Sequence, residues 1–312
     1  MNTAVVFPGQ GSQRTGMLAE LAAEHPTIAA TFKEAADVLG TDYWAMSQAG
    51  PDDVLADTRN TQPLMFISDI AMWRVLNEQG LAKPVVIAGH SLGEFSAMVA
   101  ANALSFEDGL KLVARRAELM AAAVPEGEGG MAALIGMDDD AVTALCKQLS
   151  GERIVEAVNF NAPGQVAVSG HVDALQALTE QAKEHGARKA MMLPVSVPNH
   201  SSLMRGAGEA LAETIDAIKW QATDVPLLQN ATAKVAASQD EFLAVLREHV
   251  YSPVRWTNTI QQMREEFSVE RVIECGPGKV LTGLGKRIDK SLPTLATESP
   301  DLLAAALNTE TA

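Results

Sequence analysis

The pentapeptide Gly89-His90-Ser91-Leu92-Gly93 constrains this chain more than any other stretch. It follows an apolar run at residues 85–88 with the length and composition of a buried strand. It precedes residues 94–101, which read as a helix. A serine at the centre of Gly-x-Ser-x-Gly, between a strand and a helix, is the pattern of a nucleophile elbow. Glycine on both flanks lets neighbouring backbones approach where a side chain would clash. The Ser91 hydroxyl would then sit at the tip of the turn, at the positive end of the following helix. The bland reading is a glycine-rich connection with an incidental serine. The strand before and the helix after favour the elbow.

Other elements fall into an alternating order around it. Residues 4–7 read as a first strand, closed by Pro8 and the turn Gly9-Gln10-Gly11-Ser12-Gln13. Helical patterns follow at 18–39, at 69–76 and at 106–124. Strands alternating with helices imply a parallel sheet covered on both faces. The expected fold class is α/β, with an α/β-hydrolase-like large domain. The segment Pro125-Glu126-Gly127-Glu128-Gly129-Gly130 interrupts this rhythm and marks a boundary. Beyond it come a strand at 131–136, a helix at 138–149, strands at 154–160 and 165–169, a helix at 172–184 and a strand at 189–193. That order, β-α-β-β-α-β, is the ferredoxin-like one. The expected organisation is therefore a large domain formed by 1–127 and 196–312, with a small ferredoxin-like domain inserted at 128–195. Helices near 202–218 and 240–250 and a strand at 271–274, running into Gly276-Pro277-Gly278, return the chain to the large domain.

Composition narrows the functional classes. The 312 residues are 47% hydrophobic and 20% charged, enough for a sizeable core and unlike a disordered chain. A net charge of -15 disfavours nucleic-acid binding, which needs a surplus of Lys and Arg to meet phosphates. The two cysteines, Cys146 and Cys275, are too few and too far apart for a disulfide framework or a metal knuckle. No apolar stretch approaches the length of a membrane span, and the N-terminus has no signal-peptide pattern. The expected location is cytoplasmic.

A serine hydroxyl needs a base within hydrogen-bond reach. Six histidines are available. His25, His171, His185 and His249 lie in or at the ends of helical patterns, and His90 adjoins the serine but is aimed elsewhere by the turn. His200 stands in Pro198-Asn199-His200-Ser201, a loop where the chain re-enters the large domain. Position alone leaves it either the base or a capping residue. An oxyanion hole needs two backbone N–H groups. Leu92 supplies one by the geometry of the elbow, and Gln10, between two glycines, is the candidate for the other. The Gly9-Gln10-Gly11 turn is not a dinucleotide loop, because position 14 is Arg rather than a third glycine. At 100° per residue, Arg116 falls within the apolar stripe of its helix with Leu112, Val113, Leu119 and Met120, while Arg115 lies at its edge. A buried guanidinium needs an anion. That anion is either an internal Asp or Glu or a substrate carboxylate.

Together these stretches resemble one family closely, the bacterial malonyl-CoA–acyl carrier protein transacylases. The matching segments are Phe7-Pro8-Gly9-Gln10-Gly11-Ser12-Gln13, Gly89-His90-Ser91-Leu92-Gly93-Glu94 and the Arg116 helix. Asn159-Phe160-Asn161-Ala162-Pro163-Gly164-Gln165, Val195-Ser196-Val197-Pro198-Asn199-His200 and Gly276-Pro277-Gly278-Lys279-Val280-Leu281 also match. The resemblance implies Ser91 as nucleophile, His200 as its base and Arg116 as partner of the malonyl carboxylate. It implies the Gln10 and Leu92 amides as the oxyanion hole, and the backbone carbonyl of His249 as the group that orients His200. It departs from the family at Asn199, where Ser or Phe is common, and His249 is itself an unusual side chain at the orienting position. The activity implied is ping-pong transfer of malonyl from malonyl-CoA to the phosphopantetheine thiol of acyl carrier protein, with no metal or cofactor of the enzyme's own. An acidic carrier protein meeting an acidic chain calls for a local basic patch, for which Arg188, Lys189, Lys279, Lys286 and Arg287 are candidates. The same elbow would also serve a thioesterase or esterase, the malonyl-transfer component of a malonate decarboxylase, or a silent acyl-binding module.

Overall fold

The computed structural model describes residues 1–308. In chain order its strands are β1 (Thr3–Phe7), β2 (Val86–Gly89), β3 (Gly129–Ile135), β4 (Val155–Ala162), β5 (Gln165–His171), β6 (Lys189–Met192), β7 (Leu227–Leu228), β8 (Arg271–Glu274) and β9 (Thr294–Ala296). They form two sheets. One is parallel throughout, in the order β7-β2-β1-β8-β9. The other is antiparallel, in the order β4-β5-β3-β6.

Every residue of β1, β2 and β8 is buried. That is expected of parallel strands covered by helices on both sides. The side-chain alternation divides the core cleanly. Val5, Phe7, Ile87 and Ile273 pack into one layer, and Ala4, Val6, Val86, Ala88 and Val272 into the opposite one. The first layer holds the long helix Thr58–Glu78, which keeps Pro63 in its first two turns, together with the helix Phe106–Ala121. The antiparallel sheet has its own core, in which Ala132, Leu134, Val166 and Val168 meet Leu175 and Leu178 of the helix Val172–Gln181. It is stitched to the parallel sheet's side of the molecule through Val254. The Val254 amide donates to Val158 O (2.8 Å), and the Phe160 amide donates to Val254 O (2.9 Å). β4 carries two register shifts at this point, which bend it away from an even ladder.

Several expectations change in detail. The pattern at 18–39 is two helices, Ala19–Glu24 and Pro26–Leu39, because Pro26 fits the first turn of a helix but not its interior. The signal at 69–76 is the end of a much longer helix that begins at Thr58. The helix expected at 240–250 stops at Arg247, and His249–Tyr251 forms a separate 3₁₀ turn. The short strands β7 and β9 had no sequence signal distinct from their surroundings. No described helix is long and apolar enough to cross a membrane.

The parallel register places the ends of four strands side by side. β1 runs into Pro8-Gly9-Gln10, β2 into His90-Ser91, β7 into Gln229-Asn230 and β8 into Cys275-Gly276. In open parallel sheets the crevice at the carboxyl ends of the strands is where ligands bind.

Candidate active site

The elbow is built as its glycines require. A Cβ at Gly89 would overlap the Gly93 carbonyl, and one at Gly93 would overlap the Phe7 carbonyl. Strand β2, the following helix and β1 therefore close on one another only without side chains at these two positions. Ser91 takes a left-handed backbone conformation (φ 51°), which costs a non-glycine residue on the order of 1–3 kcal/mol and turns its hydroxyl out of the stack. That hydroxyl lies 2.7 Å from His200 Nε2, across 109 residues of chain.

His200 is 3% exposed. Its Nδ1 faces two backbone carbonyls, His249 O at 3.1 Å and Ser252 O at 3.0 Å. Carbonyl oxygens only accept, so Nδ1 carries the ring proton and Nε2 is left as the acceptor for the Ser91 hydroxyl. Burial first, and then the neighbouring His249 and Arg116, push the His200 pKa well below the usual histidine value. The ring is neutral at pH 7, as a base must be. Where the sequence reading expected one carbonyl, that of His249, the Ser252 carbonyl faces the same nitrogen as well. The Ser252 carbonyl had no signal in the sequence, because it reaches the ring only through the turn that follows His249.

Arg116 lies on the buried face of the helix Phe106–Ala121, where the helical wheel puts it, and is 2% exposed. Arg115 instead reaches solvent and pairs with Glu118. Arg116 donates to Gln62 Oε1 and, at 3.4 Å, to Ser91 Oγ, and its guanidinium stands 5.3 Å from the Phe95 ring centroid. Among the described residues its buried Nε has no hydrogen-bond partner. Burial lowers its pKa to about 9, with the charge of Glu94 opposing that shift, so it remains protonated at pH 7. Among the described residues no carboxylate comes within 4 Å of it. Glu94, the acid whose charge acts on it, does so from beyond that distance.

Gly9 presses against the elbow so closely that a Cβ there would overlap the His90 carbonyl and lie 3.6 Å from the Leu92 nitrogen, so the turn that carries Gln10 is packed against the elbow. Among the described residues neither the Gln10 nor the Leu92 N–H donates to a protein acceptor. Ser91, His200, Arg116, Gln10 and Leu92 all line one cavity of about 180 Å³, which opens between the two sheets. Five side or main chains from four separate parts of the sequence thus meet in one place.

The remaining histidines do other things. His171 Nδ1 accepts from the Ile154 amide (2.9 Å), and His25 begins the helix Pro26–Leu39. His90 pairs through Nε2 with Asn161 Oδ1 (2.7 Å) and packs edge-on to Trp256, so the elbow does aim it away from Ser91. The His249 side chain, buried beside Phe95, stands 3.5 Å from Glu94 Oε2. Gln62, the hydrogen-bond partner of Arg116, escaped sequence reasoning, since nothing in its flanking residues marks it. Among the described residues no group of three or more His, Cys, Asp or Glu side chains is placed to hold a metal ion.

An acyl transferase domain family model matches residues 4–301. The malonyl CoA-acyl carrier protein transacylase of Escherichia coli strain K12 is 44% identical over 97% of this chain and 98% of its own length. The chain belongs to the malonyl-CoA–acyl carrier protein transacylase family. Its structure is similar to that of the family member from Xanthomonas oryzae, with a TM-score of 0.95, 44% identity and 98% of each chain covered. It is also similar to a malonyl-transacylase solved in complex with its type II PKS acyl-carrier protein, with a TM-score of 0.96, 42% identity, and 98% of this chain and 99% of that one covered. The α/β architecture, with one parallel sheet and a separate antiparallel one, is that of these family structures.

Proposed function

We propose that this chain transfers a malonyl group from malonyl-CoA to the phosphopantetheine thiol of acyl carrier protein, through an ester on Ser91. The observation that carries the proposal is a buried, protonated guanidinium with no carboxylate within 4 Å among the described residues, 3.4 Å from a hydroxyl that is itself 2.7 Å from a neutral imidazole. A cavity so equipped suits an acyl donor that carries its own carboxylate.

In the first half-reaction His200 Nε2 takes the Ser91 proton as Oγ attacks the thioester carbonyl. The oxyanion that forms is held by the Gln10 and Leu92 amides. The C–S bond breaks, the protonated His200 returns its proton to the leaving thiolate, and CoA departs. The second half-reaction reverses the sequence. His200 deprotonates the carrier protein's thiol, the thiolate attacks the malonyl ester, and Ser91 regains its proton. Throughout, the two carbonyls on Nδ1 hold the imidazole in one tautomer and stabilise it when it is charged. Arg116 grips the malonyl carboxylate and fixes the register of the thioester on Ser91.

The carrier protein would dock on Arg188, Lys189, Lys279, Lys286 and Arg287. All five are exposed, and the last three flank or belong to the helix Val280–Ile288, whose Val280 and Leu281 reach the cavity mouth. The large domain is read as α/β-hydrolase-like, spanning 1–127 and 196–312. The inserted 128–195 domain is read as ferredoxin-like, which the order β4-β5-β3-β6 and its antiparallel pairings support. Cytoplasmic residence is part of the same reading, with Cys146 and Cys275 as buried free thiols.

The test is mass spectrometry after brief exposure to malonyl-CoA without carrier protein. A malonyl adduct on Ser91 that is absent from Ser91→Ala, and is discharged by carrier protein, is expected. Rapid release of free malonate without carrier protein would turn the reading toward a thioesterase, and no adduct at all would end it.

A further inference from the structure

The residue most closely tied to Ser91 outside the reacting groups is one the sequence did not single out. Asn230 stands two residues beyond β7, the strand that pairs with β2, so it lies beside the elbow at the same end of the sheet. It is 4% exposed. Its Oδ1 accepts from the Ser91 amide at 2.7 Å, and its Nδ2 donates to Gly89 O at 2.6 Å. One side-chain amide thus bridges the residue before the turn and the residue at its tip. The Asn230 backbone is pinned as well. Its N–H donates to Glu94 Oε2 at 2.8 Å, and its carbonyl accepts from the Arg255 amide at 3.0 Å. The Asn230 Nδ2 reaches the same Glu94 oxygen. Glu94, 1% exposed, is the first residue after the elbow's second glycine. The same oxygen stands 3.5 Å from Nε2 of His249, whose backbone carbonyl orients His200.

We propose that Asn230, fixed in place by the buried Glu94 side chain, is a positioning residue for the nucleophile. Ser91 is held at φ 51°, a left-handed conformation uncommon for a non-glycine residue. Without an acceptor its N–H has no protein partner in this geometry. Relaxation toward an ordinary backbone angle would then swing Oγ away from His200. A displacement of about 1 Å in a reacting atom can cost about a hundredfold in rate. Asn230 touches neither the acyl group nor the thiol, so its effect falls on the chemical step and not on substrate binding. Glu94 acts through Asn230, so the two substitutions should not multiply.

This inference rests on Ser91 being the nucleophile, and the experiment separates the two. The rate of labelling by an uncharged fluorophosphonate reports Ser91 reactivity without a substrate carboxylate for Arg116 to bind. Labelling of wild type that is absent from Ser91→Ala secures the parent reading. In Asn230→Ala, kcat and the labelling rate should fall together by about 10- to 100-fold, with KM for malonyl-CoA within about twofold. Glu94→Gln should lower both by a smaller or equal factor, and the double variant should be no worse than Asn230→Ala alone. Unchanged labelling in a folded Asn230→Ala, or a rise in KM at constant kcat, overturns the proposal. So does multiplication of the two losses. Hydrogen exchange at the Ser91 amide of wild type gives a test that needs no variant. Protection close to that of the core strands is expected, and exchange at the rate of an open turn overturns the inference.

Discussion

Replacing Arg116 by Ala is the sharpest test of what the cavity recognises. On the proposed mechanism the buried guanidinium meets the malonyl carboxylate in the acylation transition state. Two charge-assisted hydrogen bonds at about 1.5–3 kcal/mol each set the scale. Leaving the substrate carboxylate unpaired in the same place costs a similar amount, about 3–5 kcal/mol. Malonyl transfer to Ser91 should therefore slow by about 10²- to 10⁴-fold. Truncation also leaves Gln62 Oε1 without its donor and empties the space beside Phe95. Those losses bear on any acyl donor alike, and acetyl-CoA measures them, because it has no carboxylate to lose. The assay is the initial rate of ester formation on Ser91 from malonyl-CoA and from acetyl-CoA, read by intact-protein mass spectrometry in both proteins. The ratio of malonyl to acetyl rates should collapse by most of the predicted factor. If both rates fall equally, Arg116 is a structural cation and the recognition argument is wrong.

Other consequences follow from the same geometry. In the proposed mechanism His200 is the neutral base, and burial holds its pKa well below the usual histidine value. The acylation rate constant divided by KM should stay on its plateau below pH 6.5 and decline only as the ring gains its proton at lower pH; an inflection at or above 6.5 in that profile counts against the assignment. Glu274 is fully buried and caps the helix Val280–Ile288 by accepting from the Leu281 and Thr282 amides (2.9 and 2.7 Å), and burial raises its pKa from 4.5 to about 7. The folded state therefore holds this proton more tightly than the unfolded state. The contribution is fully present below pH 4.5 and is lost as pH rises through about 7. Relative to Glu274→Gln, wild type should lose on the order of 3 kcal/mol of stability across that interval. Urea denaturation of both proteins at several pH values checks this, and parallel pH profiles would contradict it. Charge reversal at Lys286 and Arg287 should raise KM for carrier protein severalfold and spare KM for malonyl-CoA, whereas equal rises would remove the docking surface.

The elbow was legible because it is local. A strand, a turn that admits only glycine at its flanks and a helix are specified within about fifteen consecutive residues. The burial of Arg116 was legible for the same reason, since the phase of one helix decides it. The sequence by itself also set the alternation of elements and the break near residue 127, because periodicity and turn chemistry are short-range properties. Contacts between distant segments were decided only in three dimensions. Helical phase could bury Arg116 but could not say what would face it. The answer, Gln62 and, among the described residues, no acid within 4 Å, depends on how two helices pack. The parallel pairing of β7 with β2 brings Asn230 to the elbow from 139 residues away. The turn after Arg247 brings two carbonyls to one imidazole nitrogen. Residue type fixes what a group can do, but the approach of one group to another depends on the register and packing of whole elements, which no local pattern records.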